Sequence, residues 1–148
     1  MKEQQWFMNK VSCAFAVTTH DVDCHTVTKE LAIQPQRFFN KGDKFTIKYS
    51  QSIGYRIHGV WAIESKPVIG AELNVSAHIQ YFQELLGPKI EVIEKLKNQY
   101  HFECVFLTDI ETNNKEVRYK FSESELSFIA KIASRHDFYV RVTSRVDY

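Results

Sequence analysis

The chain has 148 residues, a formal net charge of +1, 44% hydrophobic and 14% aromatic residues, and 5 Gly, 3 Pro and 3 Cys. A chain of this length makes one globular domain spanning residues 1–148, able to bury about 68–70% of its unfolded surface without disulfides or a structural metal. The aromatic content argues against disorder, and the near-zero charge leaves only a local charged patch as an electrostatic route to nucleic acid or membrane.

Residues 1–6 carry Glu3 where an export signal needs net positive charge, and no apolar run follows, so no signal peptide is expected. No stretch approaches the length of a membrane span, and no membrane partner is expected. Cys13, Cys24 and Cys104 are odd in number and lack a C-x-x-C pair, which fits reduced thiols and a cytoplasmic location.

Val11, Cys13, Phe15 and Val17 alternate with Ser12, Ala14, Ala16 and Thr18, a period of two that predicts a first, half-buried strand. Asp23 is placed to cap a short helix carrying Val27 and Leu31 on one face, and Pro35 closes it by disfavouring helical geometry at Gln34. Residues 36–55 mix basic and aromatic side chains with Gly42 and Gly54, and read as a loop, a hairpin or an irregular edge strand around Phe45-Thr46-Ile47. Residues 58–65 predict a strand with Trp61 and Ile63 on one side and Val60 and Ala62 on the other.

Asn74 or Ser76 can cap a long helix in which Ile79, Phe82, Leu86, Ile90, Ile93 and Leu96 recur at three- and four-residue steps. Gly87-Pro88 interrupts it, because proline lacks an amide donor and clashes one turn back, so a kink or a break is expected there. Phe102, Cys104 and Phe106 predict a further strand, and Asn113-Asn114 a turn into Val117-Arg118-Tyr119, making a hairpin. Ser122 followed by Glu125 is a capping-box pattern opening a third helix with Leu126, Ile129, Ala130 and Ala133 on its apolar face. Residues 138–142 predict the last strand.

The fold class expected is α+β: a two-layer sandwich of a mainly antiparallel sheet with helices on one face. Cys13-Ala14-Phe15 and Cys104-Val105-Phe106 each open a strand-helix-strand unit, which suggests a ferredoxin-like arrangement of two halves.

Several pieces in order resemble the bacterial domain-of-unknown-function family 4279. They are Leu31-Ala32-Ile33-Gln34-Pro35, then Lys41-Gly42-Asp43, then Gly59-Val60-Trp61-Ala62-Ile63-Glu64-Ser65, then His78, Leu85, Leu86 and Pro88, then the Ser-Glu-rich start of the third helix. The resemblance covers nearly the whole chain. It departs at the last strand, where the family tends to carry an acid and this chain has Tyr139-Val140-Arg141-Val142. The resemblance strengthens the fold expectation and implies no activity.

No P-loop, G-x-G-x-x-G, G-x-S-x-G, H-E-x-x-H or C-x-x-C occurs, so the chain is read as non-catalytic and without a cofactor. Residues 20–25, His-Asp-Val-Asp-Cys-His, gather metal-ligand types in one loop, but zinc needs four converging donors and the plainer reading is a polar turn capped by Asp23; no metal is assigned. His58 and Glu64 share a strand face at a spacing of about 20 Å, too far to act on each other. Cys24-His25 is read as structural, and His78 as a helix-surface or partly buried histidine.

The segment singled out is residues 37–61. Arg37, Lys41, Lys44, Lys48 and Arg56 interleave with Phe38, Phe39, Phe45, Tyr49 and Tyr55, and Asp43 is the sole acid among them. The binding residues expected are Arg37, Phe39, Lys41, Lys44, Arg56, His58 and Trp61. The leading expectation is a protein-interaction module, for example of the immunity type that neutralises a toxin, steered to an acidic protein partner. The alternatives are a small-ligand sensor or enzyme with a pocket near Trp61, and single-stranded nucleic acid stacked on the rings. The oligomeric state is left open.

Overall fold

The computed structural model describes residues 8–70, 72–113 and 117–143. Residues 1–6, read for an export signal, and Asn114 of the expected turn lie outside them. In chain order the elements are β1 (Met8–Thr19), α1 (His25–Leu31), β2 (Arg37–Phe39), β3 (Lys44–Thr46), β4 (Ile53–Tyr55), β5 (Gly59–Glu64), α2 (Lys66–Ile69), α3 (Val75–Leu86), a 3-10 turn (Gly87–Lys89), α4 (Ile90–Tyr100), β6 (Glu103–Thr112), α5 (Glu123–Ile132) and β7 (Arg135–Val142). No helix among the described residues is long and apolar enough to cross a membrane.

β1 forms where the period of two was read, and burial follows that period: Val11, Cys13, Phe15, Val17 and Thr19 are buried, with Ser12, Ala14, Ala16 and Thr18 half-buried on the other face. It is the middle strand of a five-stranded sheet ordered β2-β5-β1-β6-β7. β5 and β6 both run antiparallel to β1, β2 runs antiparallel to β5, and β7 runs parallel to β6. One core joins the buried face of β1, β5 and β6 to Val27 and Leu31 of α1, Ile79 and Phe82 of α3, Ile93 and Leu96 of α4, and Phe128 and Ile129 of α5. The mixed α+β class and the mainly antiparallel sheet are therefore as expected.

Two expectations are corrected. The halves are not equivalent, because β1 and β5 are antiparallel neighbours whereas β6 and β7 are parallel neighbours joined through α5; the ferredoxin-like order does not follow. The hairpin expected after Phe106 is absent among the described residues. β6 instead runs for 10 residues along β1, and the strand that joins its other side comes from residues 135–142. Long-range pairing with β1 outweighs the local turn preference of asparagine.

The helix ends follow local chemistry more closely. Asn74 caps α3 by accepting the Ser76 N–H at 3.0 Å, and Ser122 and Glu125 form the expected capping box on α5. Gly87-Pro88 breaks the long helix through a turn of 3-10 geometry. At α1 the capping position is Cys24 rather than Asp23; the Asp23 carboxylate instead accepts the His25 N–H at 2.8 Å, and that bond holds its carboxyl below the ordinary range.

Candidate functional site

The ambiguous segment resolves into an edge strand and an arm. β2 adds three residues to the edge of the sheet, and β3 and β4 form a separate two-stranded hairpin beyond it. The hairpin register sets Lys44 opposite Tyr55, Phe45 opposite Gly54 and Thr46 opposite Ile53. Strand alternation therefore places Lys44, Thr46, Ile53 and Tyr55 on one face and Phe45 on the other.

Phe45 faces inward over Gly54, where an added Cβ would lie 2.6 Å from the ring. The Arg56 guanidinium sits between two rings, 4.0 Å from the centroid of Phe39 and 4.1 Å from that of Phe45. This stack ties the arm to β2, since Phe39 belongs to the sheet and Phe45 to the hairpin. Backbone bonds brace the same base: Arg56 N–H to the Asp43 carbonyl at 2.8 Å, and Gly42 N–H to the Arg56 carbonyl at 2.7 Å. Asn40 ties it to α1 by accepting the Cys24 N–H at 2.8 Å.

What the arm shows to solvent is apolar and basic. Tyr49 at its tip is 93% exposed, Ile57 80%, Ile53 64% and Tyr55 59%. Exposed large apolar side chains gathered this closely mark interaction surfaces more often than scattered ones do. Lys44 and Lys48 are exposed there, and neither takes an ion pair among the described residues.

The seven residues expected from sequence are thus divided. Phe39 and Arg56 form the stack, and Lys44 lies on the outer face of the arm. Lys41 reaches across to Asp21 at 3.3 Å in an exposed pair. Arg37 is opposite Ala62 in register, so it lies on the sheet face away from the core. His58 packs edge-on to His20, with ring centroids 6.2 Å apart. Trp61 is fully buried against Phe15 and its indole N–H donates to the Thr28 hydroxyl at 2.9 Å, so it offers no surface to a ligand.

The fold does bring His58 beside the His20 loop, but no group of three or more His, Cys, Asp and Glu side chains among the described residues could hold a metal ion. Cys24 is buried, with its thiol 3.3 Å from the Thr19 hydroxyl; burial pushes it up, the opposite of an activated nucleophile. Burial likewise pushes the Cys13 and Cys104 thiols up to about 12.

One constellation was missed from sequence. His78, read as a surface or half-buried histidine, is fully buried, with Nδ1 2.6 Å from the Ser65 hydroxyl and Nε2 2.6 Å from the Glu72 carbonyl. A carbonyl only accepts, so Nε2 donates to Glu72, while the Ser65 hydroxyl lies within reach of both Nδ1 and the Cys13 carbonyl, the latter at 3.1 Å. The serine oxygen also receives the Cys13 N–H at 2.8 Å, continuing the β1–β5 ladder where β5 has already turned into α2. Both side chains are wholly shielded from solvent, so this serine-histidine couple is a structural clamp rather than a nucleophile and base. Nothing in the spacing signals it, because Ser65 and His78 meet only through the packing of α3 on the sheet.

The sheet face away from the core is open. A cleft of about 520 Å³ near its end is lined by Lys10, Ser12, Lys66, Asp109 and Arg141 among others, and a smaller one of about 340 Å³ continues past Ala14, Ala16 and Ala62. Their charged side chains are mostly spent on each other: Arg141 meets Asp109 at 2.9 Å and Lys10 meets Glu111 at 3.9 Å.

The fold and this surface define a small α+β protein with one helix-covered sheet face and a basic, apolar arm at the sheet edge. The family model described as a domain of unknown function, DUF4279, matches residues 9–142, and the chain belongs to that family. No curated protein and no solved structure matches it.

Proposed function

We propose that this chain is a non-catalytic protein-interaction module that docks a protein with an acidic, partly apolar surface through the β3–β4 arm. The observation that carries this reading is the arm's outer face, where exposed isoleucines and tyrosines lie beside Lys44 and Lys48, cations without ion pairs among the described residues. Apolar anchors supply the buried area of such an interface and the lysines steer an acidic partner toward it. Single-stranded nucleic acid fits less well, since the rings it would stack on include Phe39 and Phe45, both taken by Arg56. Among the described residues no open, hydrogen-bonded nucleophile and base supports a catalytic reading.

Affinity capture from the host's own lysate tests this, with the Lys44→Glu/Lys48→Glu double variant as the paired form. The expected result is a stoichiometric protein held by the native chain and lost by the variant at equal folded content. Equal capture by both forms overturns the reading, and so does a nucleic-acid partner whose affinity falls steeply with salt.

A further inference from the structure

The sheet has one long edge without a strand beside it among the described residues. β2, at the other end, is three residues long and leads into the arm, whereas β7 runs for 8 residues in unbroken register with β6. Natural edges are usually shortened, bulged, interrupted by proline, charged or covered, because their free N–H and C=O groups otherwise recruit another strand; of these devices β7 carries only charges, and of both signs, Arg135, Asp137 and Arg141. β7 has no proline and no bulge, and Phe138, Tyr139, Val140 and Val142 are each more than 40% exposed.

We propose that the occupant of this edge is a second copy of the same chain, paired antiparallel through β7 about a two-fold axis at Tyr139. Successive residues of a strand direct their backbone groups to opposite edges, so matching outward groups meet only when the axis passes through a residue rather than between two. Three centres are open to it. An axis at Phe138 sets Arg135 against the partner's Arg141, a repulsive pair, and one at Val140 sets Asp137 against the partner's Thr143. An axis at Tyr139 sets Asp137 against the partner's Arg141 twice over, Phe138 against the partner's Val140, and the two tyrosines against each other. Of these three centres only the one at Tyr139 pairs opposite charges, and it keeps apolar residues against apolar ones, the self-complementarity that an isologous interface requires. Within one chain Asp137 already meets Arg135 at 2.8 Å and Arg141 meets Asp109 at 2.9 Å, so the cross-chain pairs share ions that these contacts hold in place.

Sedimentation equilibrium of the full chain across micromolar concentrations reads the assembly. The native chain is expected to dimerise. Asp137→Arg and Arg141→Asp should each weaken the dimer about tenfold, and the two together should restore it. A second test fixes the register: Tyr139→Cys should give a disulfide-linked dimer on mild oxidation, whereas Val140→Cys should not. A chain that stays monomeric overturns the proposal. So does a dimer indifferent to both charge changes in which Tyr139→Cys fails to cross-link.

Discussion

Arg56 stacks its charge on two rings and takes no carboxylate among the described residues, and this makes it the residue on which the arm depends. A guanidinium over an aromatic face contributes about 0.5–2 kcal/mol depending on desolvation, here shared between Phe39 and Phe45. Arg56→Ala should therefore loosen residues 44–55 while the sheet stays intact. Hydrogen exchange should show faster arm amides with unchanged β1 and β6, and unchanged arm exchange would mean that the stack does not hold the hairpin. Sequence makes Arg56 visible as a cation among aromatics but not as a staple. That role needs the register placing Phe45 inward and the turn of chain bringing Phe39 to the same guanidinium. Trp61 is the opposite case, because its neighbours in sequence suggest a binding surface while the strand it lies on points it into the core.

At the scale of elements, one polar junction ties a helix to the sheet and another ties two helices together. Ser65 bridges the end of β5, the Cys13 backbone and His78 of α3, so Ser65→Ala leaves a buried N–H and a buried ring nitrogen without partners. The expected cost is about 1–3 kcal/mol in chemical denaturation, and a change within error would contradict the clamp. The second junction joins α3 to α5, where the Glu125 carboxylate takes the Ser122 N–H at 2.9 Å, the Tyr119 hydroxyl at 3.0 Å and the Ser76 hydroxyl at 3.1 Å. Burial pushes that carboxyl up, but these bonds together outweigh burial and hold it below its ordinary range. A folded-state value below the unfolded one stabilises at neutral pH and is lost as pH falls from about 4.3, the ordinary glutamate value, through the lowered one. Glu125→Gln should accordingly be less stable than the native chain at neutral pH, with the gap closing in acid; a gap constant with pH would contradict the assignment. The capping box was legible because Ser122 and Glu125 are three residues apart, as was the break at Gly87-Pro88. The Ser65–His78 junction was not, since its members meet only in three dimensions.

At the scale of the molecule, an antiparallel β1 between β5 and β6 buries one sheet face under four helices and leaves the other face, the β7 edge and the arm to solvent. The layers were readable from the periods of two and of three to four, which depend on each element alone. The strand order was not, because it depends on which strands β1 recruits on either side, and Asn113 pointed to a local hairpin that the long β1–β6 ladder replaces. The candidate site was legible as a contrast in composition, five cations and one acid among the residues singled out in a chain of net charge +1. Which of those side chains face outward was set by register and by the Arg56 stack. The docking role proposed for the arm is tested by hydrogen exchange on the captured complex. New protection is expected at residues 44–57, centred on Tyr49 and Ile53, relative to the free chain. Protection confined to the open sheet face around Ala14 and Leu107, with the arm unchanged, would contradict it.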